Sequence, residues 1–272
     1  MPTKRIILFS VFFLTLCGAV SGQAKRQAGE IVQEMAKRFR SANTYQVAGS
    51  MNTVRSMQPY KKLTWGQALT ETNLLTKQYL SFSLFFHRPN KLRFDWLSVD
   101  HKVDRNSSIW TNGKQGYSWL PRSGESDGRF VLLDHTELKM LLQDADFHES
   151  SSMASIFYAQ LTGDDARAFT FDEMKETEIV REELVDGKKC FVILGTISND
   201  PWAMWIDKST FILRKMRLQI SLTSFDEIVA TGKQNLTIGE VRLVDPRMNV
   251  PIPAKVFSYR PKFRKKDIEI SK

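Results

Sequence analysis

Two different periods of hydrophobic residues alternate along the chain. Between residues 24 and 43, apolar residues recur at spacings of three and four, which is the period of an α-helix with one apolar stripe. Such a stripe must be buried, most simply against a sheet. We therefore predict an N-terminal helix that packs on a sheet. The stripe consists of Ala28, Ile31, Val32, Met35, Ala36 and Phe39.

After this helix the period becomes two, which indicates strands with one apolar face. The alternation begins at 45–51 and is clearest at 79–86 and 91–96. The pair Asn112-Gly113 is typical of a hairpin turn, and aromatic residues lie on both sides of it. We predict an antiparallel meander. Its large apolar residues are Leu80, Phe82, Leu84, Phe86, Leu92, Phe94, Trp96, Trp110, Tyr117 and Trp119.

The middle of the chain interrupts this strand pattern and then the strands resume. Helices are predicted near 134–142 and 152–161. The predicted later strands are 178–185, 188–196, 202–206, 211–220, 224–244 with breaks at Gly232 and Gly239, and a last strand at 254–259. The predicted fold class is mainly β, an α+β fold. It is one strongly curved antiparallel sheet covered on its concave side by helices.

The first 22 residues have the pattern of a secretory signal peptide. Lys4 and Arg5 precede a short apolar run, and small residues follow before Gln23. The run is shorter than the roughly 20 residues that a transmembrane helix needs. Cleavage would leave residues 23–272, which we predict to form a single domain, with Cys190 packed in its core. Alternatively, Cys17 carries a lipid anchor.

The chain has a formal net charge of +9, and removing the two basic residues of the signal region leaves +7. Export argues against a nucleic-acid partner, so the positive charge either attracts anionic lipid headgroups or serves only ordinary solubility. Much of the excess lies at residues 260–266, which either contact a membrane surface or form a solvated tail.

The sequence offers little for catalysis. It has no phosphate-binding loop and no dinucleotide fingerprint. The four histidines show no paired zinc spacing, and the acidic residues of the central region show no motif that opposes two carboxylates. We expect no cofactor, no metal and no enzymatic activity.

Two segments carry a family resemblance. Residues 87–96 read HRPNKLRFDW, and residues 109–119 read IWTNGKQGYSW. Together they resemble the LolA/LolB-like group of periplasmic lipoprotein carriers and outer-membrane lipoprotein receptors. In that group an Arg-Pro pair closes one strand and aromatic strands flank an Asp/Asn-Gly-Lys turn. The segment 253–261 resembles the closing strand of the same group.

The resemblance implies an incomplete β-barrel whose helices form a lid over an apolar cavity for acyl chains. Nine residues of the meander would line this cavity: Phe82, Leu84, Phe86, Leu92, Phe94, Trp96, Trp110, Tyr117 and Trp119. Arg88, the arginine of the Arg-Pro pair, would be the lid latch, or else a solvated turn residue. The expected protein is a monomeric carrier or chaperone that transports lipoproteins toward the outer membrane.

Two other hypotheses stay open from the sequence. The same apolar rings can form a plain core, in which case the protein is a structural or interaction module of the envelope. A hydrolase that brings carboxylates together from distant segments is the third hypothesis.

Overall fold

The computed structural model describes residues 27–55, 69–70, 75–99, 104–121, 128–133, 153–162, 170–222, 236–258 and 268–270. The predicted signal peptide, the helix predicted near 134–142 and the basic tail at 260–266 lie outside these residues. No helix in the described ranges has the length and apolar character needed to cross a bilayer.

Two α-helices of ten residues or more and twelve strands make up most of the described fold, together with short 3₁₀ turns at Phe171–Glu173 and Ala254–Val256. The helices are α1 (Ala28–Ser41) and α2 (Met153–Thr162). The strands are β1 (Thr44–Arg55), β2 (Leu75–His87), β3 (Lys91–Val99), β4 (Asp104–Asn112), β5 (Gly116–Pro121), β6 (Gly128–Leu133), β7 (Lys175–Val185), β8 (Lys188–Ile197), β9 (Asp200–Asp207), β10 (Leu213–Leu222), β11 (Leu236–Met248) and β12 (Ile268–Ile270).

All strands belong to one sheet, in the order β12-β6-β5-β4-β3-β2-β1-β11-β10-β9-β8-β7. The first strand lies in the middle, the meander β2 to β6 extends to one side, and β11 to β7 extend to the other. Neighbouring strands are antiparallel, except that β12 runs parallel to β6. Within the described residues the edge strands β7 and β12 do not pair, so the barrel is incomplete. The predicted fold class is confirmed.

The helix α1 forms where the apolar stripe predicts it. Gln27 and Glu30 close its first turn as a capping box, which satisfies amides that have no partner inside the helix. All six stripe residues are buried. They share a hydrophobic core with residues of β1 to β4 and with Ile156, Phe157 and Leu161 of α2.

Two strand predictions are wrong. Residues 254–258 form a 3₁₀ turn (Ala254–Val256) in which the Val256 amide donates to Pro253 and the Phe257 amide donates to Ala254. Pro251 and Pro253 lack amide donors, and this short segment therefore turns locally instead of joining the sheet. Gly239, predicted as a break, lies inside β11, where it pairs with Thr53 and with Leu218. Pairing on both sides overrides the weak strand propensity of glycine.

Candidate functional site

The face of β1 to β4 that packs against the helices, here called the inner face, is mainly apolar. Cross-strand neighbours share a face, and the register pairs Phe82 with Trp96, Leu84 with Phe94, and Phe86 with Leu92. These six residues and Leu80 are at most 5% exposed. Six of the nine predicted ligand-binding residues therefore lie together on one continuous surface.

Aromatic contacts hold the two helices on this surface. The ring of Phe39 in α1 lies 5.2 Å from that of Tyr45, measured between centroids. Phe157 in α2 lies 5.9 Å from Tyr45 and 5.9 Å from Phe82. In this structure the helices occupy the inner face, so the same rings serve as core and as the lining that a ligand would meet.

The other three predicted ligand-binding residues lie on the opposite, outer face. Ile109 pairs with Phe94, whereas Trp110 pairs with Arg93, whose side chain points away from the helices. Trp110 stacks on Tyr117 at 5.2 Å, and both form a separate cluster with Trp119 and Leu132. The prediction that Trp110, Tyr117 and Trp119 line the same cavity is therefore wrong. A shift of one residue in the pairing of two strands moves every side chain of a strand to the other face of the sheet, and the alternation within a single strand does not reveal this shift.

Arg88 connects the sheet to the ends of both helices. It follows β2 directly, and its Nε donates to the carbonyl oxygen of Ala42, the C-cap of α1, at 2.8 Å. Its Nη2 donates to the carbonyl of Arg40 in α1 and to that of Leu161 in α2. The last carbonyls of a helix have no partner within the helix, so a guanidinium with five donors suits them. These contacts join the end of β2 to the ends of α1 and α2, and the latch role of Arg88 stays a prediction.

The backbone positions this arginine. The amide of Arg88 donates to the carbonyl of Asn43 at 2.9 Å, just before β1 begins. Its guanidinium lies 5.6 Å from the centroid of the buried Phe86 ring. The guanidinium is therefore held at the junction of β1, β2 and the two helices.

A groove on the outer face was not predicted from the sequence. Its volume is about 860 Å³, and small residues of β1 and β2 form its floor, among them Ala48, Ser50, Ser81 and Ser83. Trp119 and the ion pair of Arg93 with Asp95, 2.7 Å between Nε and Oδ2, lie at its side. The serines that alternate with Leu80, Phe82 and Leu84 were the available signal, since they leave the outer face shallow.

The part of the chain that the structure describes holds no group of three or more His, Cys, Asp or Glu side chains that could bind a metal ion. The inner face instead combines an apolar surface, a helical cover and one guanidinium at its end. This arrangement can bind an apolar ligand if the cover moves.

Comparison with solved structures finds relatives of low sequence identity. The lipoprotein LppX of Mycobacterium tuberculosis has 11% identity and a TM-score of 0.41, with 84% of this chain and 97% of that chain covered. LprF of Mycobacterium bovis has 11% identity and a TM-score of 0.41, with coverage of 83% and 95%. A LolA superfamily protein of Nitrosomonas europaea has 12% identity and a TM-score of 0.28, with coverage of 85% and 97%.

No curated protein matches the chain by sequence. A family model described as "Predicted periplasmic protein (DUF2092)" matches residues 28–270. This description confirms the exported, periplasmic location that the N-terminus predicts. The chain belongs to the DUF2092 family of periplasmic proteins.

Proposed function

We propose that this protein binds lipid acyl chains on the inner face of β1 to β4, with α1 and α2 as a lid that Arg88 holds closed. The observation that carries the proposal is the set of hydrogen bonds from one guanidinium to the ends of both helices. Binding of this kind uses no cofactor and no chemical step.

The energetics favour an exchange of helix for ligand. Contacts between helix and sheet are apolar, and burying one CH₂ of an acyl chain stabilises by about 0.8 kcal/mol. A long chain therefore replaces the contacts of α2 and part of α1 at similar cost, so the closed and open states can lie within a few kcal/mol of each other. The hydrogen bonds of Arg88 are directional and are lost on opening, so they set the balance between the two states.

The cargo would be an acyl-bearing molecule of the envelope, either a membrane lipid or the lipid of a lipoprotein on its way to the outer membrane. The protein would act as a carrier or chaperone that releases its cargo without modifying it.

The replacement Arg88→Leu tests the latch. It removes the hydrogen bonds to Arg40, Ala42 and Leu161 but keeps an apolar side chain near Phe86. We expect transfer of a fluorescent long-chain fatty-acyl probe from the protein to phospholipid vesicles to become at least roughly tenfold faster, because hydrogen bonds to charged groups contribute about 1.5–3 kcal/mol. Stopped-flow fluorescence measures the transfer, and circular dichroism checks that the variant is folded.

The matched control is Arg247→Leu, which removes an exposed arginine that pairs only with Asp245 among the contacts described. It should transfer the probe at the wild-type rate. Equal rates for Arg88→Leu and the wild type would contradict the latch. Absence of probe binding by the wild type would contradict acyl-chain binding itself and would favour an envelope module with a filled core.

The filled inner face supports that second candidate function. In the described structure α1 and α2 leave the rings of β2 and β3 almost fully buried. A module of this kind would use its outer face for partners, and its helices would stay in place when lipids are added.

A further inference from the structure

The hydroxyl group of Tyr45 is a polar group on the mainly apolar inner face. Tyr45 lies on the inner face of β1 and is 0% exposed. Its cross-strand neighbours are Phe86 and Met248, and its ring contacts the rings of Phe39 and Phe157 on the two helices. The side chain thus lies between the sheet and both parts of the proposed lid.

This hydroxyl has no hydrogen-bond partner among the described residues. A buried hydroxyl without a partner is costly, and most buried polar groups in proteins are satisfied. Phenylalanine would fill the same space without that cost. Burial also raises the pKa of Tyr45 far above its usual range, so the group stays protonated and can donate a hydrogen bond.

The hydroxyl belongs to the same end of the inner face as the latch. Thr44, next to Tyr45, pairs with His87, and Arg88 follows His87 directly. The amide of Arg88 donates a hydrogen bond to the carbonyl oxygen of Asn43, two residues before Tyr45. A ligand that enters when Arg88 releases the helices would therefore place its polar end near Tyr45 and its chains along the apolar rings of β2 and β3.

We propose that Tyr45 is a ligand-binding residue that donates a hydrogen bond to the carbonyl oxygen of an acyl ester when the lid opens. The inference rests on the proposed function. The ester carbonyl is the acceptor that directly adjoins an acyl chain, and it occurs both in glycerophospholipids and in the diacylglyceryl group of lipoproteins. Tyr45 would then make the site prefer ester-linked chains to chains that lack the carbonyl.

The test compares an ester-linked diacyl phospholipid with its ether-linked dialkyl analogue of equal chain length, each competing with a fluorescent fatty-acyl probe. The wild type should bind the ester form about three- to tenfold more tightly, the range expected for one hydrogen bond. Tyr45→Phe, which removes one oxygen atom, should bind both forms equally. Competition by a diacylated lipopeptide against the diacyl phospholipid then shows which source of the ester binds more tightly.

The control is Tyr117→Phe. The hydroxyl of Tyr117 donates to Gln115 at 3.2 Å on the outer face, so this variant should keep the wild-type preference for the ester. The thermal unfolding midpoint of the ligand-free protein gives a second measurement. Tyr45→Phe should raise the midpoint or leave it unchanged, because it removes a buried hydroxyl that lacks a partner.

The outcomes separate the two proposals. A wild type that binds neither lipid contradicts the proposed function. A wild type that binds both forms equally, or a Tyr45→Phe variant that keeps the preference for the ester, contradicts only the role of Tyr45. A lower unfolding midpoint for Tyr45→Phe would mean that the hydroxyl has a structural partner, and it would also overturn the inference.

Discussion

The inner face of β1 to β4 and the outer face of β8 to β11 are both buried, but by different means. The inner face is covered by two helices through aromatic and aliphatic contacts. The outer face carries a smaller apolar group, here called the outer cluster, with charged side chains above it. The outer cluster consists of Leu69, Val185, Cys190, Val192, Ala203, Trp205 and Ile238.

Charged groups lie directly on the largest residue of the outer cluster. The Nζ atom of Lys215 is 3.8 Å from the centroid of the Trp205 ring, and the guanidinium of Arg217 is 5.3 Å from it. Arg217 pairs with Glu240 at 2.7 Å and also donates to the carbonyl of Leu69 at 3.0 Å. Lys215 pairs with Glu183 at 3.2 Å.

This difference indicates which face can open. Apolar contacts have no direction, so a helix can be exchanged for an acyl chain with little change in free energy. A buried ion pair cannot be exchanged in this way, since separating it leaves a charge without a partner in a poorly solvated place. We infer that the inner face is the adaptable one and that the outer cluster keeps β8 to β11 fixed while the lid moves.

The largest effect should come from Glu240→Ala, which removes the ion pair with Arg217 above the outer cluster. The side chains of Arg217 and Glu240 are only 8% and 11% exposed, so the substitution removes the carboxylate that balances the charge of a nearly buried guanidinium. We expect the free energy of unfolding to fall by about 3–5 kcal/mol, measured by urea denaturation. Asp245→Ala is the control, because its ion pair with Arg247 is exposed and its loss should not change stability measurably. Equal stability of Glu240→Ala and the wild type would show that the two faces do not differ in this way.

A smaller, pH-dependent effect should come from Asp207, at the end of β9. Burial tends to raise the pKa of its carboxyl, but hydrogen bonds from the Ser209 hydroxyl, from the amides of Ser209 and Thr210, and from Arg214 outweigh burial and lower it. Because the folded state has the lower pKa, this stabilisation is present above the usual aspartate pKa near 3.8 and is lost as the pH falls through the folded value.

Asp207→Asn should therefore flatten the acid side of the stability curve. The wild type should lose more stability than the variant when urea denaturation is repeated from pH 5 downward, roughly one unit above the usual pKa. Probe binding at the inner face should be the same for both proteins at neutral pH. If both proteins lost stability equally as the pH fell, the carboxylate of Asp207 would not stabilise the outer face.

The inner face could be predicted from the sequence because its signal is local. Six stripe residues at helical spacing predict α1, and strict alternation predicts β2 and β3 with their apolar residues on one side. Arg88 was predicted at the end of its strand, before Pro89. The contacts of its guanidinium then follow from where the two helices end.

Local patterns could not predict which residues of neighbouring strands share a face, and they could not predict the outer cluster. Trp110 and Phe94 are both large aromatic residues of predicted strands, so the sequence does not distinguish their faces. Only the pairing of Trp110 with Arg93 shows that Trp110 lies on the outer face. The outer cluster and the charged side chains above it bring together residues distant in sequence, such as Leu69 and Arg217. These charged side chains resemble ordinary surface residues of an exposed strand face. The missing partner of the Tyr45 hydroxyl is likewise visible only in three dimensions.

Cys190 gives the smallest effect and a direct readout of the outer cluster. The sequence predicts a core residue, and the thiol is indeed 0% exposed. Burial, followed by the nearby Asp207 carboxylate, raises the pKa of Cys190 to about 11, so almost no thiolate, the reactive form, is present at neutral pH.

With the signal peptide removed or Cys17 lipidated, Cys190 is the sole free thiol. We expect the native protein to resist a thiol-reactive dye and the unfolded protein to react at once. Arg88→Leu, which should loosen the proposed lid on the other side of the sheet, should leave this resistance unchanged, whereas Glu240→Ala should weaken it. Equal acceleration in both variants would mean that the two faces open together and that the outer cluster does not hold β8 to β11 fixed.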